Sequence, residues 1–126
     1  MQTSTKLIIG ILLVLGVVLV IVKYSINNAP GQYDQFAQCL TESGAIMYGA
    51  YWCPHCQNQK KSFGNSFKYV KYIECDARGN DGNPAACEAA NVNTYPTWIF
   101  ANGERREGEV PLTELAIRSG CGLRQG

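Results

Sequence analysis

Two cysteines three residues apart, with a proline directly after the first, constrain this chain more than any other feature: Trp52-Cys53-Pro54-His55-Cys56-Gln57. Proline has no N–H and a preset φ, so it suits the first residue of a helix, where that N–H would go unpaired anyway. The residues before the pair, Ala45 to Trp52, are mostly apolar and rich in aromatics. Such a run suits a strand buried on both faces of a sheet. The spacing therefore predicts a buried strand running into a helix, with Cys53 at the junction and the helix reaching about Phe63.

The rest of the soluble part reads in the same alternating way. Asp34 to Ser43 predicts a helix with Phe36, Ala37 and Leu40 on one face, stopped at Gly44. Phe67 to Cys75 alternates as a strand, residues 76–83 form a Gly/Asn/Asp loop, and Pro84 opens a short helix to about Ala90. Thr97 to Phe100 is a third strand, Asn102-Gly103 a two-residue hairpin signal, and Arg105 to Glu109 the return. Pro111 opens a last helix with Leu112, Leu115 and Ala116 inward and Gly120 at its end. A β-α-β unit followed by a hairpin and a helix predicts one α/β domain. C-x-x-C beside such a unit is the cue for a thioredoxin-like fold, a central mixed sheet flanked by helices.

Ahead of that domain, Leu7 to Val22 is an unbroken run of sixteen apolar or Gly residues between Lys6 and Lys23. As a helix it spans about 24 Å, short of a hydrocarbon core about 30 Å thick. Burial of the Lys23 stem, with Tyr24 at the interface, extends the span to Ile26. A cleaved signal peptide is the rival, but Ala29 is the only small-residue cleavage candidate, and Pro30 follows it directly. The expected organisation is a flank (1–6), a transmembrane signal-anchor (7–26), a Pro-Gly tether (27–33) and the domain (34–126). The flanking lysines balance, so the positive-inside rule does not orient the helix.

Orientation comes from the cysteines. There are six, an even number, and disulfides persist mainly outside the cytoplasm. The expected place is the cell membrane, single-pass, with the domain on the extracytoplasmic side. Only Cys53 and Cys56 have close spacing; Cys39, Cys75, Cys87 and Cys121 read as staples. Of their three possible pairings, Cys75–Cys87 with Cys39–Cys121 is favoured, clamping one loop and joining the first and last helices of the domain. A zinc ribbon would need a second close pair, so no metal is expected. The chain carries 11 basic and 10 acidic residues, and no basic patch that would grip nucleic acid.

A thiol attacks a disulfide as its thiolate, and the orphan N–H groups at a helix mouth favour an anion there. Cys53 is thus the expected exposed, attacking sulfur, and Cys56, one turn further in, the shielded resolving one. His55, the only histidine, can add a hydrogen bond or partial charge near Cys53. Lys60 and Lys61, about two turns along, read as too distant to act. The redox group is the Cys53–Cys56 disulfide itself, with no other cofactor.

Ala50-Tyr51-Trp52-Cys53-Pro54-His55-Cys56 and, about forty residues on, Thr94-Tyr95-Pro96-Thr97-Trp98 resemble the thioredoxin superfamily over nearly all of residues 34–121. Together with Tyr72-Ile73-Glu74-Cys75-Asp76, they are most similar to the thioredoxin-like domain that accompanies bacterial vitamin K epoxide reductase homologues. The Pro-His dipeptide is that of DsbA-type oxidants. The resemblance implies Cys53 as nucleophile, Cys56 as resolver and Pro96 as a cis-proline facing them, with Trp52, Pro54 and Tyr95 meeting substrate. It implies protein thiol substrates, and a separate membrane-bound partner that generates or removes disulfides, with a vitamin K epoxide reductase homologue as the candidate. Thioredoxins place a buried Asp where this chain has Met47. With no carboxyl opposing the helix-mouth thiolate, an oxidising potential above about −200 mV is expected, against about −270 mV for thioredoxin. The alternatives are a disulfide isomerase or reductase, or a chaperone-like module holding extended chains on Tyr51, Trp52, Tyr95 and Trp98.

Overall fold

In the computed structural model, residues 2–123 are described. Met1 of the expected flank and residues 124–126 of the expected domain lie outside them. In chain order the elements are α1 (Gln2–Asn28), α2 (Asp34–Glu42), β1 (Ile46–Gly49), α3 (Pro54–Phe63), a 3-10 helix (Gly64–Tyr69) and β2 (Tyr72–Glu74). Then follow α4 (Pro84–Ala89), β3 (Thr97–Ile99), β4 (Arg105–Glu107) and α5 (Leu112–Ser119). The sheet order is β2-β1-β3-β4. β1 pairs parallel to β2 and antiparallel to β3, and β3 pairs antiparallel to β4. This is the thioredoxin-like arrangement, with the parallel β-α-β unit at the centre.

Alternation along β1 sorts the core into two layers. Met47 joins Phe36, Leu40, Phe63, Trp98 and Leu115 in the larger one, all 0–1% exposed, which unites α2, α3 and α5 with one sheet face. Tyr48 points the other way, among Cys75, Cys87 and Val92 near α4. Two disulfides staple these layers. Cys39 of α2 is bonded to Cys121 just beyond α5, and Cys75 after β2 is bonded to Cys87 of α4.

Three expectations change. The strand read from Phe67 begins only at Tyr72, because residues 64–69 form the 3-10 helix. That turn brings the Phe67 ring edge-on to Phe63, 6.0 Å away, and to Tyr72, 5.8 Å away. Aromatic burial against neighbouring elements outweighs a strand-like alternation. The hairpin after β3 has three loop residues rather than two. Phe100 donates to the Glu104 carbonyl, and Gly103, at φ 82°, supplies the left-handed residue such loops use.

The third change concerns the tether. α1 continues to Asn28, and the segment after it is docked. Asn65 Nδ2 donates to the carbonyls of Ile26 and Ala29, and Lys68 Nζ to that of Ala29, each at 3.4 Å. Tyr33 N–H donates to Ser66 Oγ at 2.8 Å. A Cβ on Gly31 would collide with Ser66, so only glycine permits this approach. By length and composition α1 can cross a bilayer, a test a signal sequence also passes, and its apolar side chains from Leu7 to Ile26 are exposed.

Candidate redox site

Cys53 is the N-cap of α3 and Pro54 its first residue, as the missing proline N–H favours. The cap bond comes from within the pair: Cys56 N–H donates to Cys53 Sγ at 3.3 Å. Both residues are thiols here. Cys53, expected to be exposed, is 5% exposed, and Cys56 is fully buried. The division of access survives, but within a narrow mouth. Burial first, and the hydrogen bond with Cys53 second, push the Cys56 thiol up to about 12. Cys56 therefore stays protonated at neutral pH unless something takes its proton.

Across the mouth the Tyr95–Pro96 bond is cis, and Pro96 is fully buried. The Cys53 thiol is directed at the Tyr95 carbonyl, 3.6 Å away. Trp52, about half exposed, meets Tyr95 edge-on at 6.2 Å. Its indole N–H donates to Asp76 Oδ2 at 2.8 Å. Asp76 is gripped in turn by Arg78, whose hydrogen bonds hold that carboxyl well below the usual carboxylate range. Trp52, Pro54 and Tyr95 thus rim the pair, with Tyr51 exposed beside them. Trp98, named among the aromatics that could hold a chain, is fully buried in the core, its indole N–H on Gln59 Oε1 at 3.3 Å.

His55 turns to a partner other than the one expected. Its Nδ1 lies 2.6 Å from Glu109 Oε1, a contact outside the pair, and Asn58 Nδ2 donates to the same oxygen at 3.2 Å. These bonds, that of His55 first, lower the Glu109 pKa. His55 therefore ties the start of α3 to the segment before α5. Glu109 is far from His55 in sequence, and no local pattern signals it.

Sequence reasoning missed three further neighbours. Gln59, one turn from Cys56, is 2% exposed and fully engaged: its amide donates to Val110 O and accepts from Val110 N–H and Trp98. Lys60, read as too distant, is four residues from Cys56 and so on its side of the helix. Its Nζ stands 3.8 Å from the centre of the Tyr72 ring. Glu74 is buried, and its Oε2 accepts from Tyr72 Oη at 2.8 Å. Met47 is fully buried and carries no carboxyl, but a buried carboxyl enters from β2. The two-residue spacing of Tyr72 and Glu74 on one strand face was the available signal. Among the described residues, no three His, Cys, Asp or Glu side chains are grouped to hold a metal.

No family model matches the chain. Over 93 residues, 71% of its length, it is 41% identical to the thiol-disulfide oxidoreductase LTO1 of Arabidopsis thaliana, and it spans 24% of that relative's length. A solved structure of thioredoxin O2 from Arabidopsis thaliana, in the oxidised state, overlays with a TM-score of 0.39 at 21% identity, covering 68% of this chain and 84% of that one. The chain is thus related over most of its length to one segment of a thiol–disulfide oxidoreductase.

Proposed function

We propose that this chain is a membrane-anchored thiol–disulfide oxidoreductase that exchanges disulfides with protein thiols through Cys53 and Cys56, on the extracytoplasmic side. The observation that carries the reading is the pair of thiols at one helix mouth, unequal in access and facing the Tyr95 carbonyl. The relative's name, thiol-disulfide oxidoreductase, points the same way. In this reading a substrate segment lies along Trp52 and Tyr95 and pairs with backbone next to Pro96. One sulfur of its disulfide is attacked by Cys53, and the mixed disulfide is then resolved by Cys56. In the oxidising direction the same steps run backwards, from a substrate thiolate attacking Cys53 of the protein disulfide.

The partner we favour is a quinone-linked vitamin K epoxide reductase homologue in the same membrane, which would reoxidise the pair. Glu74, buried and hydrogen-bonded to the Tyr72 phenol that borders Cys56, removes the premise that no carboxyl opposes an oxidising potential, so an isomerase or reductase is the second reading. The test uses the full chain in detergent, equilibrated with glutathione buffers and offered a reduced peptide. The expected result is net oxidation of the peptide and a potential above about −200 mV. A value near −270 mV would make the chain a reductase. Cys53→Ser should abolish exchange in either case, and peptide binding that persists with no exchange in the unaltered chain would leave only a binding module.

Anchoring has its own test. Protease added to spheroplasts should digest the domain and leave a membrane-bound stub containing residues 7–26. Protection of the domain until the inner membrane is dissolved would place it on the other side.

A further inference from the structure

Tyr72 and Glu74 stand two apart on β2, in register with Met47 and Gly49 of β1. Residues two apart share a strand face, and here that face holds Cys56. Gly49 is the reason the groups approach. A Cβ there would lie 2.8 Å from Cys56 Sγ and 3.3 Å from Tyr72 Oη, so the sulfur and the phenol border the same small space. Tyr72 is half-buried and donates to Glu74 Oε2, while Glu74 Oε1 accepts from the Asp76 N–H at 3.0 Å. Lys60 covers the Tyr72 ring from α3. One oxygen of this carboxyl, 5% exposed, thus holds the backbone after β2, and the other is left to the Tyr72 phenol alone.

We propose that Tyr72 and Glu74 form a proton relay serving Cys56 whenever that sulfur must become, or has just left as, a thiolate. The inference rests on the exchange reading of the Cys53–Cys56 pair. In the resolving step the Cys56 S–H bond breaks; its proton passes to Tyr72 Oη as the Tyr72 proton passes to Glu74 Oε2. The electron pair left on Cys56 forms the bond to Cys53, and the bond from Cys53 to the substrate sulfur breaks. The substrate departs as a thiolate, so its disulfide is reduced as the two protein thiols are oxidised. Running backwards, Glu74 and Tyr72 return the proton to Cys56 as it leaves the attacked protein disulfide.

Burial, then the bond to Glu74, raises the Tyr72 phenol above its ordinary value, so the hop is concerted and no phenolate accumulates. The titratable groups around Cys56 are Cys53 at the α3 N-cap, Lys60 of α3, and Tyr72 and Glu74 of β2. Tyr95 faces Cys53 through its carbonyl. Toward this layer β1 presents Met47 and β3 presents Trp98, neither of which titrates.

The test follows the reduced full chain in detergent, mixed with an equimolar aromatic disulfide (dithiobis-nitrobenzoate) in a stopped-flow instrument. The first aryl thiolate released reports attack by Cys53, and the second reports resolution by Cys56. Tyr72→Phe and Glu74→Gln should leave the first phase unchanged and slow the second by roughly 100-fold near neutral pH, the scale of lost acid–base assistance. In both variants the second phase should climb steeply with pH, as hydroxide replaces the relay, where the unaltered chain is flat. Second phases matching the unaltered chain in rate and slope would overturn the relay, as would equal slowing of both phases. If the unaltered chain released no second thiolate, the exchange reading itself would fall.

Discussion

Cys56→Ala should accumulate disulfide-linked adducts on Cys53 that the unaltered chain never holds for long. Attack needs only the sulfur at the helix mouth, 5% exposed, whereas release needs the fully buried one. With Cys56 gone the mixed disulfide has no internal resolver, and its life is set by slow attack from outside thiols. Non-reducing gels of membranes should show the adducts as a ladder removed by dithiothreitol, and mass mapping should place every crosslink on Cys53. If the proposed membrane-bound redox partner exists, it should be among them. Cys53→Ala should trap almost nothing, because Cys56 is fully buried and that burial, the first cause of its raised pKa, remains when Cys53 is gone. Adducts forming through Cys56 in that variant, and not the reverse, would mean the two sulfurs have exchanged roles.

Removing the Cys39–Cys121 bond should cost more stability than removing the Cys75–Cys87 bond. The bond closes 82 residues, against 12 for Cys75–Cys87. In the chain-entropy model the longer loop contributes about 4.5 kcal/mol and the shorter about 3 kcal/mol, chiefly by restricting the unfolded chain. Small domains have only about 5–15 kcal/mol in total, so the first loss leaves little reserve. Urea unfolding of the Cys39→Ala/Cys121→Ala pair should show a lower midpoint than the Cys75→Ala/Cys87→Ala pair. The opposite order would mean that local packing, not loop length, decides what each staple contributes.

The central β-α-β unit and the site at its junction were legible because local rules write them. Pro54 after Cys53 marks a helix start, and the apolar run before it marks a strand that needs cover on both faces. Gly120 was read as the end of the last helix, and it sits there at φ 73°. What the sequence hid depends on contacts between distant segments. Phe67 reads as a strand residue until Phe63 and Tyr72 are placed beside it. His55 reads as a neighbour of Cys53 until Glu109 arrives from far along the chain. Glu74 reads as a residue of the second strand, and only the parallel pairing of β2 with β1 sets it opposite Gly49, with its carboxyl on the Tyr72 phenol. The cis geometry at Pro96 was available through resemblance to known families and not from the residues themselves.

If α1 anchors the chain as proposed, the clasp of Asn65 and Lys68 on the carbonyls of Ile26, near the end of α1, and Ala29, just beyond it, has a kinetic consequence. A domain on a loose string samples every attitude above the lipid, and most collisions with a neighbour in the same membrane would present the wrong side. A domain held at the end of its own helix would have fewer attitudes open to it. Its search for the proposed membrane-embedded partner would then be nearer two-dimensional, which would raise the effective concentration of the matching surface without any added affinity. Soluble proteins would gain nothing from that restriction. Loosening the clasp should therefore slow electron exchange inside the membrane far more than exchange with a peptide in solution.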